Sequence, residues 1–210
     1  MTPLELVALG SIGWACIGLG EATRRAWRRG TSGAVAAPAG SAWPGVAYAF
    51  GRGMSPRAKE SASQHPWVYG AGILYHSGVA GAVATLALLV GRVPVPSPVA
   101  RALAFLLLSA AASGLGLLAR RRTERLLRAI SAPDDYAANL LVDAWLVTAA
   151  LWWFMPGSSP AFLIATTALG FYAPFGKIRH CVFFFLSRSQ FGARLGRRGI
   201  VQSRATGVRA

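Results

Sequence analysis

Two histidines, His76 and His180, stand inside stretches that are otherwise apolar enough to span a bilayer. An ionisable side chain at membrane depth is costly and marks a functional site that has a partner. Neutral imidazole is also the commonest protein ligand for metals, haem iron included. Two lone histidines on different apolar segments therefore point to a haem held between them, with hydrogen bonding between helices as the competing reading. Lys177 and Arg179, close to the second histidine, can snorkel to the aqueous interface or bind haem propionates, and the two uses are compatible. His65 is the third and last histidine. It lies about 16 Å before His76 along a helix, and with Pro66 and Trp67 after it reads as a polar residue at an interface. Two haems with two histidines each would need four, so one such haem is the ceiling unless another residue type or another chain contributes.

Composition says what must position these side chains. The chain has 210 residues, of which 54% are hydrophobic and only 14% charged, yet its net charge is +15. That is too apolar for an ordinary soluble domain. A pI near 11.5 could indicate nucleic acid, but the arginines cluster at the ends of long apolar runs, not on a polar face. A membrane protein that binds no nucleic acid is expected. Cys16 and Cys181 form no disulfide or metal-spacing pattern and read as small packing residues.

Five apolar runs approach the roughly 20 residues that one crossing needs. They run from about Leu4 to Gly20, Trp67 to Gly91, Val99 to Ala119, Ala137 to Met155 and Ala161 to Leu186. Prolines 66, 94, 96, 98, 156 and 160 fall at the span ends, where a missing backbone donor does little harm. The first run is not a cleavable leader in form, since Arg24, Arg25, Arg28 and Arg29 follow it instead of preceding it. The fold class expected is an all-α integral membrane bundle of five transmembrane helices. Residues 1–186 form the haem-binding part, including a connector over 24–65, and 187–210 form a basic tail.

Loop charges orient the bundle. Seven basic residues lie between Arg24 and Lys59, five between Arg120 and Arg128, and eight from Lys177 to Arg209. Arg92 and Arg101 are the other two of 22. Twenty basic residues on one side make that side cytoplasmic, with the amino terminus outside and the carboxyl terminus inside. The connector is rich in Gly, Ala, Ser and Pro and is expected to be irregular, lying along the membrane through Trp43, Tyr48 and Phe50. The tail is expected to order only in part, against a partner.

The two histidines match in depth. His76 lies about 15 Å into span two, and His180 about 10 Å from the cytoplasmic end of span five. Gly72, Gly78 and Gly170 near them would let either helices or a flat macrocycle approach closely. Asp143, two turns into span four, is expected to pair with a basic group such as Lys177 or Arg179, with proton transfer as the alternative. Asp134 and Asp135 read as helix-capping residues.

This ordering of features resembles the cytochrome b membrane subunit of respiratory nitrate reductase, a family that includes membrane subunits of sulfate-reducer redox complexes. Leu74-Tyr-His76-Ser-Gly78 is similar to the segment around that family's first haem-ligating histidine. Pro174-Phe-Gly-Lys-Ile-Arg-His180 is similar to its Pro-Phe-x-[RK]-x-x-His segment, and Arg128-Ala followed by Asp135 to the start of its span four. The run from Arg188 through Phe191-Gly192 to Gly196-Arg-Arg-Gly199 resembles tails of the sulfate-reducer branch. The family pattern often has four histidines and two haems. Here Phe162 and Leu86 stand where the outer haem's ligands would be expected. The resemblance thus implies one haem b, held by His76 and His180 on the cytoplasmic side, and loss of the outer one.

The function expected is a multi-pass subunit of the bacterial inner (cytoplasmic) membrane, part of a hetero-oligomeric complex. It would relay electrons between the quinone pool, menaquinone included, and a cytoplasmic iron–sulfur or other oxidoreductase partner. Cations such as Lys177 and Arg179 beside the haem would stabilise its reduced state. The alternative is a haem-free membrane anchor whose basic face docks a soluble complex. A small transporter is the third reading, without a pair of broken helices in matched positions to favour it.

Overall fold

The computed structural model describes residues 1–29, 37–58 and 60–201, with the side chains of residues 57, 60 and 61 excepted. Parts of the connector (30–36 and 59) and of the tail (202–210) lie outside the described residues. The described chain is all-helical, as expected. Its elements are α1 (Pro3–Arg29), α2 (Ala42–Phe50), α3 (Glu60–Gln64), α4 (Pro66–Val90), α5 (Ser97–Thr123), α6 (Arg125–Ala129), α7 (Pro133–Phe154), α8 (Ser159–Tyr172) and α9 (His180–Arg197). Four of these, α1, α4, α5 and α7, are long and apolar enough to cross a membrane, and a fifth span exists if the chain either side of the 173–176 break is counted as one. Such helices are compatible with a multi-pass membrane protein.

The described chain divides into two compact units, one formed by Met1–Gly18 and Trp67–Ile178, the other by Leu19–Pro66 and the chain from Arg179 onward. In the first unit, α1 through Gly18 packs with α4, α5, α7 and α8. Small residues set the spacing, as suits helices that gain little from apolar transfer in lipid. A Cβ on Gly78 of α4 would collide with Ala110 of α5, one on Gly170 of α8 with Ser11 of α1, and one on Gly18 would come within 2.6 Å of Pro174. Gly78 and Gly170 therefore seat helices against one another. The core between them holds Leu86, Leu107, Trp145, Leu146, Phe162 and Leu163.

Turn chemistry ends these helices where the sequence changes. After α4 the Val93 N–H bonds Leu88 O (3.1 Å) and the Arg92 N–H bonds Leu89 O (3.3 Å), which is a Schellman ending. Arg92 takes the left-handed position at φ 55°. Its guanidinium is bound to both oxygens of Glu5 at 2.7 and 2.9 Å, so the start of α1 lies beside the α4–α5 turn. A cleft of about 290 Å³ in the same unit is lined by Val95, Arg101, Trp152 and Pro156, joining that turn to the α7–α8 turn. At the opposite helix ends Asp135 of α7 meets Lys177 (3.2 Å) and Arg121 of α5 (3.7 Å). The ends of the unit thus alternate as the loop charges require: Arg92 and Arg101 at one, Arg121 and Lys177 at the other.

The fifth apolar run is not one helix. α8 stops at Tyr172, Phe175 and Gly176 turn back onto the Tyr172 carbonyl, a 3₁₀ turn covers Lys177–Arg179, and α9 begins at His180. Pro174 is the cause. It has no N–H to donate to the helix ladder, and Gly176 lies so close under the Tyr172 ring that a side chain there would collide. Reading Ala161 to Leu186 as one continuous helix passed over this proline and glycine.

In the second unit the expected irregular connector contains α2, and the tail from Ser187 to Arg197 continues α9. The two helices approach backbone to backbone. A Cβ on Gly192 would lie 2.6 Å from Gly45 O and 2.7 Å from the Cα of Val46, and one on Gly196 would clash with Ser41 and Ala42. The Ala39 and Gly40 N–H groups both donate to Arg197 O (2.8 and 3.1 Å), satisfying the last turn of α9. Phe50 stacks on Phe185 with ring centres 6.1 Å apart, and Arg188 lies 5.8 Å over the Phe184 ring. Gly192 and Gly196 of the tail fit this internal seat.

Candidate functional site

His76 is at mid-length in α4 and its ring is exposed. Ring atom Nδ1 lies 2.7 Å from the carbonyl oxygen of Gly72, one turn earlier. A carbonyl only accepts, so Nδ1 carries the hydrogen and Nε2 carries the lone pair. This is the tautomer and the supporting hydrogen bond that a metal-ligating histidine needs. Nothing comes within 4 Å of where a Cβ on Gly72 would stand. His76 fits an axial ligand on these grounds.

His180 is the first residue of α9 and is exposed. Its position follows from the Pro174 break, which makes it a helix-start residue instead of a mid-span one. Arg179, just before it, is exposed as well. Lys177 is half exposed and bonded to Asp135. His65 is exposed in the turn before Pro66 and α4, as its interfacial reading expects. Cys16 and Cys181 are free thiols and both exposed, contrary to their reading as packing residues.

No family model, curated protein or solved structure matches the chain. Among the described residues no three His, Cys, Asp or Glu side chains gather as a metal-ion site, and a two-histidine haem asks for none.

Phe162 and Leu86 are buried in the core, 0% and 7% exposed. The Phe162 ring lies 6.1 Å from that of Trp145, and the Trp145 indole N–H donates to Thr166 Oγ1 at 2.8 Å. Side chains fill the level at which a second haem's ligands were sought.

A polar cluster that sequence reading only half anticipated lies deep in the same unit. Asp143 is 3% exposed, and its Oδ2 accepts from the Asn139 side-chain amide at 3.2 Å. That amide also donates to the Tyr75 hydroxyl at 2.9 Å, and the hydroxyl donates to the Asn139 carbonyl at 3.3 Å. The expected pairing of Asp143 with Lys177 is not made, because Lys177 is held by Asp135, eight residues nearer the helix start. Asp135 also accepts from the Ala132 N–H at 2.8 Å, which is the capping role read for it. Asp134 accepts instead from the Tyr172 hydroxyl of α8. The i, i+4 spacing of Asn139 and Asp143 was visible in the sequence; Tyr75 arriving from α4 was not.

Proposed function

We propose that the chain is the membrane-embedded b-type cytochrome subunit of a quinone-linked oxidoreductase, with His76 and His180 as the axial ligands of one haem b. The observation that carries this reading is the Nδ1–H of His76 bound to Gly72 O at 2.7 Å, which aims a coordinating Nε2 from the middle of an apolar helix. Haem, when bound, supplies one-electron redox chemistry, and the protein supplies ligands, position and electrostatics. Lys177 and Arg179 add positive charge next to His180, which favours the reduced state and suits the propionates. The filled core around Phe162 and Leu86 supports one haem instead of two. The basic face and tail, cytoplasmic in this reading with the amino terminus outside, suit docking of an iron–sulfur or other oxidoreductase subunit at the bacterial inner membrane. Electrons then pass between that partner and membrane quinone.

A haem-free anchor is the second reading. The Pro174 break favours it, since it puts His180 at the exposed start of α9 and not within a continuous span. The absorbance spectrum of the full chain purified from membranes decides between them. Reducible b-type bands, lost in His76→Ala and in His180→Ala but kept in His65→Ala, are the expected result. No such bands in the wild-type protein would leave the anchor standing.

A further inference from the structure

The buried carboxyl of Asp143 is the feature that electron relay leaves unexplained. Its Oδ1 atom is buried and has no hydrogen-bond partner among the described residues. It rests against the bare Cα of Gly114 in α5, where a Cβ would collide with it and with the Tyr75 ring. The groups facing it are few. From α4 comes the Tyr75 hydroxyl, from α5 the glycine, and from α7 itself the Asn139 amide; α8 sends Thr166 to Trp145. None of these is charged.

Magnitudes decide the form of the carboxyl. A charge in such a place needs a cation or several donors, and an uncompensated one costs far more than an unpaired neutral polar group, which costs about 2–7 kcal/mol. Asp143 has one amide donor, Asn139, and the Tyr75 hydroxyl facing it, and no cation among the described residues. A hydrogen on Oδ1 removes the charge and leaves at most a neutral polar group to be met, which is the smaller of the two costs. A monovalent metal ion would ask for a shell of oxygens, and among the described residues the carboxyl and the Tyr75 oxygen are the ones shown there.

A route for the proton is written along α7. Asp135, Asn139 and Asp143 recur every fourth residue, one above another on a single helix face. The stripe climbs about 12 Å, from a carboxylate bonded to the half-exposed Lys177 and Arg121 to the buried acid. The Tyr75 hydroxyl joins it beside Asn139. We propose that Asp143 is a reversible proton-binding site inside the helical unit, loaded from the Asp135 end of α7 past Asn139 and Tyr75. Hydronium at that end gives up its proton, an O–H bond forms at Oδ1, water is released, and no electron moves. The site needs neither haem nor partner, so its test stands apart from that of electron transfer.

The test is the infrared spectrum of the full chain in lipid nanodiscs. The wild-type protein should show the carbonyl band of a protonated carboxylic acid in apolar surroundings. That band should shift on transfer to D₂O, vanish as pH rises, and be missing in Asp143→Asn, whose side chain matches the neutral acid in shape. Asn139→Leu should slow the D₂O shift at least tenfold. Should Asp143→Asn fail to fold, a hydrophobic carbodiimide on the wild-type chain, mapped by peptide mass, should label Asp143 faster at lower pH. A band absent at every pH with Asp143 unlabelled overturns the proposal. So does a band indifferent to bulk pH and D₂O, which is a sealed structural acid, or one displaced by sodium ions at constant pH.

Discussion

At the scale of single residues, two carboxylates in apolar surroundings are handled in opposite ways. Glu5 is 2% exposed and is met by a cation, and Arg92 accepts a left-handed backbone to provide it. A non-glycine residue at that position costs about 1–2 kcal/mol, which the hydrogen bonds to a buried carboxylate offset. Arg92→Ala should therefore destabilise the protein by about 1–3 kcal/mol, the cost of leaving a buried polar group unmet. Adding Glu5→Gln should recover most of that loss, and thermal unfolding in detergent of the two variants measures both. Asp143 has no such cation, and its nearest titratable neighbour is Tyr75. For His76 the consequential contact is the Gly72 carbonyl. His76→Gln should abolish a b-type spectrum while leaving the melting temperature of the haem-free chain within a few degrees of haem-free wild type, because the residue is exposed and little packing is lost.

Among the elements, glycine decides which helices touch. α2 and α9 meet at Gly45, Gly192 and Gly196, with carbonyl oxygens where side chains would otherwise be. Overpacking a close contact costs about 1–3 kcal/mol, and here the obstacle is backbone, which cannot swing aside. Gly192→Leu should push α2 off α9 and raise the rate of proteolysis within 37–58 at least tenfold. Phe191→Leu, at the exposed neighbouring position, should leave that rate unchanged. An unchanged rate in Gly192→Leu would mean that α2 is held by other contacts, such as Phe50 on Phe185. Truncation after Ser187 removes Gly192 and Gly196, so it should expose α2 as well as release any partner docked on the tail.

For the whole molecule, the first unit has two distinguishable ends. Glu5, Arg92 and Arg101 mark one, and Arg121, Asp134, Asp135 and Lys177 mark the other. The orientation proposed above from the positive-inside rule puts the second end on the cytoplasmic side. A topology reporter fused after Ala210 should accordingly register as cytoplasmic, and one inserted at Gly157 as external. The reverse pattern would move the basic face, and any partner docked on it, to the other side of the membrane.

Four long helices were legible in the sequence because crossing a bilayer imposes a length and an apolarity that each run shows by itself. Prolines at their starts and arginines at their ends set most boundaries. The candidate histidines were legible for the same reason, since a polar residue stands out against an apolar run. What the sequence left open depends on residues far apart in the chain. Pro174-Phe175-Gly176 reads as a helix breaker locally, but apolarity on both sides hid the break between α8 and α9. The seat of α2 on α9 joins Gly45 to Gly192 across nearly 150 residues, and no local periodicity announces it. Asp143 looked like half of an ion pair. Only the packing of α4, α5 and α7 surrounds it with a tyrosine, a glycine and an amide, because a buried charge takes its partner from whichever helices pack around it, and those are chosen by tertiary structure.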